Sequence, residues 1–203
     1  MLRHHSSDHL LASFGLVLVI AAPYSKCGTT RSVNTHVRAV YDKQTGRLQE
    51  LIYDSNNSGK PDTWSYMDGT KVVRIEIDKN EDGLVDRWEY YGADRQLQKV
   101  GMSSANDGKA DTWAFKAPDG TVGRIEKSTH RDGKVDRTEF FEKGVIVRAE
   151  QDADGDTHTD RWETYHHGNL VGMAFDTSHR GSPDRTFAYG EDGSLRHVEH
   201  SGN

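Results

Sequence analysis

"DKNEDGLVDRWEYY", residues 78–91, sets oxygen-bearing side chains at alternate positions, then Gly83, then Asp86 and an aromatic run. Asp, Asn and Gly are turn formers in their own right, because short polar side chains hydrogen-bond nearby backbone and glycine accepts conformations closed to other residues. The residues just after Asp86 decide the fold. Trp88 and Tyr90 alternate with Arg87 and Glu89, a period of two that fits a strand and not a helix. The acidic stretch therefore returns the chain from one strand to the next.

The same unit recurs along the chain, with Asp62, Asp86, Asp111, Asp136, Asp160 and Asp184 at intervals of 24, 25, 25, 24 and 24 residues. Two positions after each comes Trp64, Trp88, Trp113, Thr138, Trp162 or Thr186. Every unit then carries a turn and an aliphatic residue: Leu48, Val72, Leu97, Val122, Ile146, Leu170 and Leu195. Each copy reads as an aromatic strand and an aliphatic one. In the second, "KVVRIEID", Val73, Ile75 and Ile77 alternate with Arg74 and Glu76. Asp-Gly pairs at residues 68–69, 119–120 and 192–193 mark tight hairpins. The expected fold is all-β, an antiparallel meander of about six two-stranded repeats of 24–25 residues, roughly a dozen strands in a long curved or partly closed sheet. One face is expected to carry Trp, Tyr, Val, Ile and Leu, the other Arg, Glu, Lys and Gln. A sheet so divided must curl, fold over or find a partner to cover its apolar side.

Composition limits the rest. Of 203 residues, 33% are hydrophobic and 29% charged, so the core is thin for the length. A net charge of -6 argues against nucleic acid, whose phosphates reward Lys and Arg. Cys27 is the only cysteine, which excludes an internal disulfide. Residues 10–22, "LLASFGLVLVIAA", form an uncharged run suited to the apolar region of a signal peptide and short for a membrane span. Residues 1–26 thus read as a signal segment, 27–40 as a linker and 41–203 as the β-repeat domain. Cys27, just past that run, is a candidate for lipidation; cleavage near Ala21 or Ala22 would instead leave a free thiol.

The loops also match a cation-binding order. A calcium loop takes ligands from positions 1, 3, 5, 7 (through its carbonyl), 9 and 12, with glycine at 6. Counted from Asp78 these are Asp78, Asn80, Asp82, Leu84, Asp86 and Glu89, with Gly83 in place. The fifth copy offers Asp152, Asp154, Asp156, His158, Asp160 and Glu163, but has Gly155 at position 4 and Thr157 at position 6. The first keeps Asp54, Asn56, Ser58 and Asp62, with Ser65 at position 12. The fourth (Ser128, His130, Asp132, Asp136, Glu139) is weaker. The third and sixth are degenerate, and Arg180 at position 5 of the sixth opposes a cation. Turn formation alone would also retain such residues, so two readings stand: structural Ca2+, or turns without metal. Loops without a flanking helix pair suit modest affinity, with dissociation constants of about 10⁻⁴ to 10⁻³ M.

No nucleophile elbow, phosphate loop or HExxH motif is present, and paired carboxylates copied six times do not mark one active site, so no enzyme is expected. His166-His167 and the pair His197 and His200 lack the convergent ligands zinc requires. Trp64, Trp88, Trp113 and Trp162 recur at one repeat position, either as core or, if exposed, as a platform for carbohydrate.

The stretch "VYDKQTGRLQELIYD", residues 40–54, resembles the YD/RHS-type β-repeats of bacterial surface proteins. The DxNxDGxxD loops resemble the helix-free calcium loops of thrombospondin type 3 and dockerin-like repeats, and the Cys27 region resembles a bacterial lipoprotein signal. Together these resemblances imply an exported, non-enzymatic protein, bound to the membrane through a lipid anchor only, whose partner is a protein or glycan at the cell envelope.

Overall fold

The computed structural model describes residues 36–200, within the compact unit Asn34–Asn203. The expected signal segment, Cys27 and most of the expected linker lie outside the described residues. Fourteen strands succeed one another: β1 (Val37–Tyr41), β2 (Leu48–Tyr53), β3 (Thr63–Asp68), β4 (Lys71–Ile77), β5 (Arg87–Tyr91), β6 (Leu97–Met102) and β7 (Thr112–Lys116). The second half comprises β8 (Val122–Lys127), β9 (Arg137–Glu142), β10 (Val145–Gln151), β11 (Arg161–His166), β12 (Asn169–Phe175), β13 (Arg185–Tyr189) and β14 (Leu195–His200). They form one antiparallel sheet in strict sequence order, and the described residues contain no helix. The all-β meander is as expected. The strand-forming region starts before Tyr41, because β1 occupies the last residues of the stretch read as linker.

Each strand packs only on its neighbours in sequence, and β1 and β14 do not pair with each other, so the sheet is open and one layer thick. Why such a layer holds is answered by its register. In β3–β4, Asp68 pairs with Lys71 and Met67 with Val72, but Tyr66 then pairs with Arg74 and Trp64 with Glu76. Val73 is skipped. It is a β-bulge, one extra residue that transposes every residue beyond it to the opposite face. A bulge stands at the same place in all seven hairpins, skipping Gln49, Val73, Gln98, Gly123, Val147, Val171 and Arg196.

This overturns the expected division of faces. Without the bulge, Trp64 would meet Ile75 and the apolar residues would share one side. With it, the aromatic row shares a face with Arg, Lys and Glu. Arg74 lies 4.1 Å from the centre of the Tyr66 ring, Arg124 4.3 Å from Phe115, and Arg148 3.7 Å from Phe140. Lys99 sits 4.6 Å from both Tyr90 and Trp113. Each such cation–π contact contributes about 0.5–1 kcal/mol at a partly exposed site. The long cationic side chains thus cover the rings that a second layer would cover elsewhere. Trp113 instead lies over Gly101, where a Cβ would come within 2.5 Å of the indole.

The opposite face carries the aliphatic row with the small and acidic residues of the aromatic strands. Val100, Ala114, Val122, Ile125 and Ala149 are buried there, and Phe141 packs on the Ala114–Val122–Ile125 cluster. Glu139 and Glu163 are buried among them, flanking Ala149. Arg137 donates through Nε to Glu139 at 2.9 Å and through Nη2 to Glu163 at 2.7 Å, reaching over Ala149, whose methyl is small enough to pass beneath it. Tyr165 donates to the same Glu163 at 2.6 Å, and Arg161 pairs with it.

Deletion of Val73 closes the bulge with Tyr66 still opposite Arg74 and Trp64 still opposite Glu76, so it is expected to cost only about 0.5–2 kcal/mol, through lost local twist. Val73→Ser, at a side chain 39% exposed, should stay within about 0.5 kcal/mol. Urea unfolding of the two variants separates what the bulge contributes from what the Val73 side chain contributes.

Candidate metal centre

The connections after β2, β4, β6, β8, β10 and β12 are the acidic loops, aligned along one end of the strands. Backbone bonds close each and string them together. Asp86 N–H donates to Ile77 at 2.8 Å, and the Asp86 carbonyl accepts from Ser103 of the next loop at 2.9 Å. The link recurs from Asp78 to Asp62, Ser128 to Asp111, Asp152 to Asp136 and Asp176 to Asp160. Successive loops are two strand widths apart, about 10 Å.

Two left-handed residues shape every loop. Position 4 holds Asn57, Glu81, Asn106, Arg131, Gly155 and His179, with φ between 52° and 81°; position 6 holds Gly59, Gly83, Gly108, Gly133, Thr157 and Gly181, with φ between 75° and 90°. The fifth loop therefore keeps the common shape with its glycine moved to position 4. Thr157 carries the left-handed conformation at φ 78°, where a β-branched side chain is strained by about 1–3 kcal/mol.

Inside this frame the first and ninth residues serve the backbone. Asp86 Oδ2 accepts from Lys79 N–H at 2.8 Å, and Asp62, Asp111, Asp136, Asp160 and Asp184 accept the same way at position 2 of their loops. Asp78 Oδ2 accepts from Gly83 at 2.8 Å. Burial raises the Asp176 carboxyl, but N–H donors from Arg180, Gly181 and Ser178 outweigh it and hold the group below its ordinary value of 3.8. Asp136 is likewise held low against burial by Thr129 and the His130 ring.

The loops differ in what remains. In the first, Asp54 accepts from Ser58 and Gly59, and Asp62 from Ser55 and Thr63, so all four carboxylate oxygens are engaged. Asn56 and Ser58 are exposed and take part in local turns. In the second, Asp78 Oδ1 and Asp86 Oδ1 are buried with no hydrogen-bond partner, and Asp78 is only 2% exposed. Arg87 succeeds Asp86 where Thr63 and Thr112 supply a hydroxyl in other copies, which leaves that oxygen open. Asn80 and Asp82 lie exposed, with Leu84 N–H donating to Asp82 at 2.8 Å, and Asp78, Asp82 and Asp86 are not drawn into one group of ligand atoms within 4.8 Å. Glu89 is engaged on the sheet, by Arg87 Nε at 2.7 Å and the Tyr91 hydroxyl at 2.6 Å.

In the fifth loop one oxygen each of Asp152, Asp154 and Asp160 lies within 4.8 Å of the others. Glu163 stays with Arg137, Arg161 and Tyr165. Asp156 and His158 contact each other at 3.3 Å on the exposed rim. The loop has a neighbour that ligand spacing does not single out. His179, at position 4 of the sixth loop, places Nδ1 3.1 Å from Asp154 Oδ2 and groups with Asp154 and Asp156. Glu81, also at position 4, bonds Asn56 of the loop before it. Position 4 of one loop thus meets position 3 of its predecessor at both ends of the array.

No protein-family model matches the chain, and no curated protein matches it. Among solved structures, Staphylococcus aureus TarM is similar over 48–49% of this chain, at 14–15% identity and TM-scores of 0.39–0.40; one of those structures is a mutant in complex with fondaparinux, alpha-GlcNAc-glycerol and UDP. The matched region is 19% of the TarM chain. The accessory secretory protein 1, 2 and 3 structure from Streptococcus pneumoniae is similar over 72% of this chain and 23% of that one, at 13% identity and TM-score 0.20. Likeness at this level carries no argument about activity.

Burial raises the Glu163 carboxyl, but bonds from Arg137 and Tyr165 outweigh it and hold the group below its ordinary value of 4.5. A depressed folded-state value gives stability that is present above 4.5 and lost as pH falls through the folded value. The melting temperature should therefore fall on acidification below about pH 4.5. Glu163→Gln should cost about 2–4 kcal/mol at pH 7, by leaving Arg137 and Arg161 short of a counter-charge, and flatten that acid limb.

Proposed function

We propose that this is an exported β-repeat protein in which calcium, bound first in the second acidic loop and next in the fifth, stiffens the sheet at the cell envelope. The observation that carries the reading is the pair of buried, unpartnered oxygens, Asp78 Oδ1 and Asp86 Oδ1, in the loop whose ligand spacing is complete. A buried carboxylate oxygen without a partner is costly, and a hard divalent cation satisfies two at once. Asp78 and Asp86 each keep one oxygen for the backbone and offer the other to an ion, toward which the exposed Asp82 and Asn80 would have to turn. Glu89 remains with Arg87, so water completes the shell and affinity is modest. The fifth loop supports a second ion through Asp152, Asp154 and Asp160, while the first, its carboxylates already engaged, acts as a turn.

The role is structural and not catalytic. An ion in a loop that joins β4 to β5 ties two hairpins together at their common end. Anchoring through Cys27 and display at the envelope rest on the sequence of the N-terminal segment and on the resemblance to bacterial surface repeats. A second reading has one observation in its favour. Trp64, Trp88, Trp113 and Trp162 are only half-buried on a face that no other described element covers, which suits a glycan platform.

With a dissociation constant of about 10⁻⁴ to 10⁻³ M, 10 mM calcium should stabilise the protein by about 1.4–2.7 kcal/mol and raise its melting temperature by about 3–11 °C, reversed by EDTA. Asp86→Asn should remove more than half of the shift; absence of any shift in the parent protein would sink the metal reading in favour of metal-free turns. For the anchor, radioactive palmitate should label the chain in bacteria and Cys27→Ala should abolish the label, whereas equal labelling of both would refute it.

A further inference from the structure

We propose that the outer edge of β14 pairs with the outer edge of β1 of a second copy of this chain, so that copies join head to tail into one continuous sheet. Among the described residues nothing pairs with either edge, and all six residues of β14 are exposed. An unpaired strand presents a row of backbone donors and acceptors that templates another strand.

The side chains at these edges repeat the interior pattern in uncovered form. Val37, Tyr41, Leu195 and Val198 are 40%, 58%, 53% and 38% exposed, and all four lie on the aliphatic face. Val198 occupies the repeat position of Val100, Ile125 and Ala149, which are 2%, 5% and 1% exposed between two neighbouring strands. Leu195 occupies that of Val122, 4% exposed. What separates the edge residues from their buried equivalents is that, among the described residues, no next strand flanks them.

Register selects the occupant. At every acidic-loop junction the residue before position 1 pairs with the residue after position 9, as Phe175 pairs with Arg185 and Met102 with Thr112. Continued past β14, with His36 standing at position 9 before β1, this rule sets His200 opposite Val37, Glu199 opposite Arg38 and Val198 opposite Ala39. The last pairing reproduces the interior pair Val100 and Ala114. The middle one places opposite charges directly across a strand pair, the arrangement that favours association. Because β1 and β14 of one copy do not pair with each other, the contact is heterologous and open-ended, and growth has no built-in stop.

The test is sedimentation velocity of the full chain over a concentration series, in a mild detergent that solvates the N-terminal apolar segment. The expected result is a concentration-dependent ladder of oligomers. Glu199→Arg and Arg38→Glu, each placing like charges across the junction, should each weaken association about tenfold, and the two combined in one chain should restore it. A single species at all concentrations would overturn the proposal. So would a ladder unchanged by either single reversal, or one that the combined reversal fails to restore.

Discussion

A single extra residue, inserted after each hairpin turn, governs the rest of this structure. It moves the aromatic row out of register with the aliphatic row, so that Trp64 meets Glu76 instead of Ile75, and Tyr66 meets Arg74 instead of Val73. Neither face is then apolar enough to demand a second layer. Rings are roofed by guanidinium and ammonium groups on one side; on the other, short aliphatic side chains are interleaved with Glu residues held by arginine. The usual reason for a long sheet to curl or sandwich is removed at its source. Stability comes instead from many modest contacts between adjacent strands, none of which needs a deep core.

The acidic loops answer to the same economy. Their first duty is to reverse the chain, which two left-handed positions and two backbone-binding Asp or Ser side chains accomplish in every copy. Ligand capacity is what remains after that duty. It is absent from the first loop, where Thr63 and Ser55 consume the spare oxygens of Asp62, and present in the second, where Arg87 leaves Asp86 unsatisfied. Two small local differences, the residue after position 9 and the extra Ser58 bond to Asp54, thus separate a turn from a candidate ion site.

The period, the paired strands, the hairpin turns and the order of loop ligands are legible in the sequence because each is a local pattern that recurs. The faces are not, as long as strict alternation is carried through the aliphatic strand. The corrective signal is present: Val72 to Ile75, Leu97 to Val100, Val122 to Ile125 and Leu195 to Val198 are each three apart, a break in period two that marks a bulge. Glu89 and Glu163 fit position 12 of a helix-flanked loop, but in a strand that position sits beside Arg87 or Arg137 and Arg161, which take the carboxylate. His179 is invisible to ligand spacing because its contact is with the loop before its own, a relation that no single loop contains.

Because each strand touches only the strands beside it, the array has the mechanics of a zipper. Traction applied between its two ends would load one terminal hairpin at a time, shear playing little part, and each release would free a unit of 24 or 25 residues, about 80 Å of extended chain. Such a protein would yield in small, similar steps at low force and re-form them in reverse, behaving as an extensible tether more than as a rigid strut.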